Sequence, residues 1–115
     1  MPKLSLFFYT SRQIAQDVCS SLSLRAGASQ HISLTSKRSE VGAEAAAFLS
    51  IKDRPVEVRC SVEVDVSLLR GPSQTHPLYG VDGIMLRPGG WEEYLCSASF
   101  LSLKCAPEWQ ALEIP

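Results

Sequence analysis

The segment 56–66 alternates without a fault: Val56, Val58, Cys60, Val62, Val64 and Val66 stand against Glu57, Arg59, Ser61, Glu63 and Asp65. A period of two is the signature of a β-strand with one buried and one wet face. A fully buried aliphatic side chain contributes roughly 1.5–3 kcal/mol. A slip of one residue would bury three acids and an arginine instead, so the register is strongly specified. Any fold open to this chain must contain that strand with its valine face inward.

The rest of the chain is organised around it. Residues 4–9 read as a first strand, with Leu4, Leu6 and Phe8 on one side and Ser5, Phe7 and Tyr9 on the other. Thr10 and Ser11 offer N-caps to a helix running to about Leu24, in which Ile14, Val18 and Leu22 recur at i, i+4 and i+8. Residues 31–35 form a short second strand. Ser39 caps an alanine-rich helix to about Ser50, and Asp53, Arg54 and Pro55 lead into the long strand. Strand, helix, strand, helix, strand suggests two crossover connections and a partly parallel sheet. The alternating strands place the helices mainly on one face.

Residues 70–83, with Gly71, Pro72, Pro77 and Gly80, read as a long loop, and 84–87 as a short strand before the turn at Pro88, Gly89 and Gly90. The segment 91–105 carries two readings. As a helix it sets Trp91, Tyr94, Leu95, Ala98, Leu101 and Cys105 on one arc, with Glu92 and Glu93 in the first turn. As a strand it would be long yet lack Val, Ile and Thr. The helix is the expectation adopted, and Pro107 ends it. The fold class expected is α+β: one domain over residues 1–115, a mixed sheet with two to three helices mainly on one face, in the order β-α-β-α-β-β-α.

At 115 residues the chain can bury about two-thirds of its unfolded surface, enough for one core without staples. Eleven basic and twelve acidic residues leave a formal charge of −1, so no global field draws the protein to nucleic acid or an anionic membrane. The apolar run 4–8 is too short for a signal-peptide core, and no window approaches a membrane span, which points to a cytoplasmic protein. Cys19, Cys60, Cys96 and Cys105 have no zinc-type spacing and read as reduced thiols, Cys19 and Cys60 as small core residues.

No phosphate cradle, nucleophile elbow or metalloprotease motif is present, and no cofactor is implied. His76, in the sequence Thr75-His76-Pro77-Leu78-Tyr79-Gly80, is the best placed histidine for catalysis, and as a loop residue it reads equally as a solvated side chain. Glu63 and Asp65 lie two apart on one strand face, close enough for half a divalent-metal site, although a wet charged face accounts for them as well.

The positive feature is the sheet face opposite the helices, where Phe7, Tyr9, Ser33, Thr35, Glu57, Arg59, Glu63 and Asp65 would be displayed. Aromatic anchors amid polar residues suit a protein partner or a stacking platform for single-stranded nucleic acid, and three carboxylates on the third strand favour the protein. The alternative is that 91–105 folds over this face and makes Phe7 and Tyr9 core. The expectation is a non-enzymatic protein-binding module, an adaptor subunit or a small inhibitor of the kind mobile elements carry. It would bind through Phe7, Tyr9, Arg59, Glu63 and Asp65, or through the 70–83 loop with His76 and Tyr79. A nucleic-acid binder using Phe7 and Tyr9, and a small enzyme using His76, are the alternatives. Self-association is left open.

Overall fold

The computed structural model describes residues 3–25, 32–49, 55–74, 91–96 and 100–113. Its elements run β1 (Lys3–Thr10), α1 (Arg12–Ser21), β2 (Ser23–Arg25), β3 (Ile32–Thr35), α2 (Gly42–Phe48), β4 (Val58–Asp65), a 3-10 turn (Val66–Leu68), β5 (Leu69–Gln74), β6 (Glu92–Cys96), β7 (Phe100–Ser102) and β8 (Gln110–Ala111). This is an α+β fold. The main sheet has the order β5-β6-β3-β1-β4-β8, and β2 pairs with β7 in a small second sheet.

Of the alternating segment 56–66, Val58–Asp65 forms β4, which pairs with β1 along its whole length, whereas Val56 packs in the cluster on the opposite face and Val66, in the 3-10 turn, is exposed. Leu4, Leu6 and Phe8 stand opposite Val64, Val62 and Cys60, while Lys3, Ser5, Phe7 and Tyr9 stand opposite Asp65, Glu63, Ser61 and Arg59. The first set fills the larger core together with Val18 of α1, Leu24, Ile32, Leu34 and Cys96. Ser11 caps α1 as the sequence suggests, its hydroxyl accepting from the Ile14 N–H at 3.2 Å.

The helix stops short of Leu24. Leu22 takes a left-handed conformation (φ 53°), and its N–H closes the last turn on the Val18 carbonyl at 2.8 Å. The reversal frees Leu24 to pair with Leu101 across the small sheet, where it is fully buried. Cys60 and Cys96 are buried thiols, but Cys19 is exposed on α1 instead of packing inside.

The sheet ladders are antiparallel, and the parallel pairing among the described residues is the isolated bridge between Val41 and Glu113. The expected crossover is present in direction only. β3 and β4 both run antiparallel to β1, so they run the same way on either side of it, joined through α2. β3 pairs with β1 antiparallel where a parallel neighbour was expected, and the unforeseen strand β2 stands between α1 and β3 in the chain.

The two helices also divide between the faces. Val18 and Ile14 of α1 pack on the Leu6 and Phe8 side, whereas Ala45 and Ala46 of α2 pack with Tyr9, Leu49, Val56, Trp91 and Leu112 on the other. Gly42 makes this close approach possible, since a Cβ there would sit 2.3 Å from the Val56 carbonyl oxygen. Ser39 does not directly cap α2. The N-cap is Val41, and Ser39 supports the turn before it by accepting the Val41 N–H at 3.1 Å and donating to Glu44 Oε1 at 2.7 Å.

The helix expected over 91–105 is overturned. Residues 92–96 are β6, paired with β3 on one side and β5 on the other, and 100–102 are β7. Cys96 and Tyr94 pack against the α1-side core, while Trp91 enters the opposite cluster. Partners on both sides override the weak strand propensity of this segment. The start of the expected 70–83 loop is likewise strand, since β5 reaches Gln74. The expected strand at 84–87, His31, His76 and Tyr79 lie outside the described residues. Among the described residues, no helix is long and apolar enough to cross a membrane.

Val62 is buried and faces the core, whereas Glu63 is exposed. Val62→Asp should therefore cost several kcal/mol and Glu63→Lys less than about 1 kcal/mol. Denaturant melts of the two variants check this, and equal losses would contradict the assigned faces.

Candidate functional site

The face of the sheet bearing Phe7 divides into a closed end and an open one. At the closed end Tyr9 is completely buried, its ring centroid 5.9 Å from that of Trp91. Its hydroxyl donates to the Lys37 carbonyl at 2.8 Å and accepts the Ser39 N–H at 2.7 Å. Burial pushes the phenol pKa above its ordinary value, against the opposing effects of the Ser39 hydrogen bond and Arg59.

Arg59 lies opposite Tyr9 in register and is only 1% exposed. Its Nη1 donates to the Ser39 carbonyl at 2.6 Å and to Glu40 Oε1 at 3.3 Å, and Nη2 donates to the Gln110 side-chain oxygen. The guanidinium carbon stands 5.5 Å from the Phe7 ring centroid, a cation–π distance. The Arg59 hydrogen bond is the main reason the Glu40 carboxyl is held below its usual range. Arg59 thus joins β4, the 39–40 turn and β8.

The β3 side of this face is closed as well. The Ser33 hydroxyl donates to the Glu93 carboxylate, and both residues are buried. Thr35 donates to the Glu92 carbonyl at 2.7 Å and accepts the Lys37 N–H at 3.1 Å.

Toward the other end of β1 and β4 the face opens. Phe7 is half-buried, and Ser5, Ser61 and Glu63 are exposed. Asp65 is half-buried and caps the turn that follows it, accepting the Ser67 N–H at 2.9 Å and the Ser67 hydroxyl at 2.8 Å. These bonds hold its carboxyl below the ordinary range. A groove of about 490 Å³ runs beside this surface, with Phe7, Arg59 and Ser61 on one wall and Cys105, Pro107 and Glu108 on the other. A second groove of about 470 Å³ lies on the α1 side around Cys19 and Trp109, where the indole N–H donates to the Cys19 sulfur at 3.2 Å.

Of the expected binding residues that lie among the described ones, the structure brings Phe7, Tyr9, Arg59, Glu63 and Asp65 to one face and buries Tyr9 and Arg59 there. Tyr9 and Arg59 are corrections, because α2, Trp91 and the 37–40 turn cover that end. Asp65 ends β4 and is engaged in capping the turn that follows it. Among the described residues, no three metal-ligating side chains come together. Compared with known proteins, the chain matches no family model, no curated protein and no solved structure. The site is thus argued from its geometry.

Gln110, Ser39 and Glu93 are the site residues that sequence reasoning missed. Gln110 meets Arg59 across 51 positions, and no local pattern announces it. Glu93 falls at the inward position of β6 and carried a signal only to a reader who had taken 92–96 as a strand.

Arg59→Ala should cost about 3 kcal/mol or more, by removing the donors to Ser39 and Gln110 and leaving a cavity. Glu40→Gln should leave the melting temperature nearly unchanged, because that carboxylate is exposed. Thermal melts of both variants check this, and an Arg59→Ala protein as stable as the parent would contradict the role given to Arg59.

Proposed function

We propose that this chain is a non-enzymatic protein-binding module that receives its partner on the β1–β4 half of the open sheet face. The observation that carries this reading is a half-buried aromatic ring, Phe7, rimmed by exposed Ser5, Ser61 and Glu63 and bordered by the Pro107–Glu108 wall of the groove. An aromatic anchor with a polar rim is the usual anatomy of a protein–protein contact. A binder of this kind acts as an adaptor or an inhibitor according to which surface of the partner it covers.

Stacking of single-stranded nucleic acid is disfavoured on three counts. Tyr9 is buried, so one ring of the expected pair is lost, and Phe7 already faces the Arg59 guanidinium. The exposed Glu63 carboxylate would also repel phosphates.

Co-purification from the native source tests the reading. Ser61→Arg and Phe7→Ala should each weaken retention of a specific protein at least about tenfold, equivalent to about 1.4 kcal/mol. Arg25→Glu, exposed on the small sheet, should not. Loss with Arg25→Glu alone, or retention of nucleic acid in place of protein, would contradict it.

A further inference from the structure

The outer edge of β4 is paired for only two residues: β8 covers Val58 and Arg59 and then leaves. Continuing the same register would put Trp109 opposite Cys60, Glu108 opposite Ser61 and Pro107 opposite Val62. That continuation is not made among the described residues. Trp109 still faces the α1 side, as Cys60 does, with its ring 6.3 Å from Phe8 and its N–H on the Cys19 sulfur, but the tail before Gln110 is not strand and forms no ladder with residues 60–62. Where the tail parts from β4, the groove lined by Ser61, Pro107 and Glu108 opens. Residues 61–65 therefore keep a row of outward backbone groups with no strand beside them among the described residues. At about 3.3 Å per residue this edge is roughly 17 Å long.

Charge decides what fits there. Arg59 and Arg38 both hold Glu40, whereas Glu63 and Glu108 are exposed and make no ion pair among the described residues. Asp65 adds a third carboxylate along the same edge. A second copy of this chain pairing edge to edge, with its centre at 63 or 64, would set Glu63 opposite Glu63 or Asp65. Like charges facing across strands are unfavourable, and acids on an edge guard against self-pairing. An extended segment with basic side chains at alternate positions meets none of these objections.

We infer that the free edge of β4 at residues 61–65 adds a β-strand from a partner protein, one that carries lysine or arginine at every second position. This rests on the protein-binding reading and specifies how the partner is held: main-chain hydrogen bonds supply affinity, and Glu63 and its neighbours select the charge. Apolar residues alternating with the basic ones extend the valine face of β4.

The probe is a nine-residue peptide alternating lysine and valine, titrated into the intact chain with residue-resolved amide exchange as the readout. Two further peptides accompany it, one alternating glutamate and valine and one of lysine and valine N-methylated at every second residue. Saturable binding of the first peptide should slow exchange in 61–65, and each of the other two should bind at least about tenfold more weakly. Glu63→Lys should reverse the preference between the acidic and basic peptides. Equal binding of the N-methylated peptide, protection mapping elsewhere, or no binding by any peptide would overturn strand addition. The protein-binding reading would still be judged separately, by retention of the native partner in the Phe7 and Ser61 variants.

Discussion

The ladder between β1 and β4 is the constraint on which the molecule depends. Eight consecutive residue pairs lock the two longest strands in one register. That register sends Leu4, Leu6, Phe8, Cys60, Val62 and Val64 to one side and a row of polar side chains to the other. Each buried member contributes roughly 1.5–3 kcal/mol, whereas a carboxylate forced inward costs more than one such contact returns. α1 and the small β2–β7 sheet pack on this side, while α2 packs with Tyr9, Val56, Trp91 and Leu112 on the other.

The polar side is closed at one end by different physics. Placing a guanidinium inside a protein costs several kcal/mol unless its donors are met. Arg59 meets that condition with the Ser39 carbonyl, Glu40 and Gln110, and it lies over Phe7. The turn before α2 is held further by the Tyr9 hydroxyl, which bridges the Lys37 carbonyl and the Ser39 N–H. This clasp also brings β8 to β4, and it stops there. What remains open, below Arg59, is open because the tail pairs with β4 only at Val58 and Arg59.

Much of this was legible in the chain. The perfect alternation of 56–66 revealed β4, and Ser11 revealed the start of α1, because both signals are local and chemically unambiguous. Tyr9 was misread for the opposite reason. Its side of β1 follows from alternation, but whether that side is wet depends on Ala45, Val56, Trp91 and Leu112, all distant in sequence. Residues 91–105 failed likewise: Glu92 and Glu93 look like a helix start, and only pairing of 92–96 with β3 and β5 makes them strand. Of the binding surface, Phe7 and Glu63 were readable, while the groove and the free edge depend on a pairing of β8 with Val58 and Arg59 alone, which no local pattern predicts.

Amide exchange along β4 of the unliganded protein tests the one-sided pairing most directly. Below Arg59, alternate amides in 61–65 should exchange at least about a hundredfold faster than those bonded to β1, whose protection should approach the global unfolding limit. Uniform high protection from 60 to 65 would mean that the edge is already filled, and would contradict it.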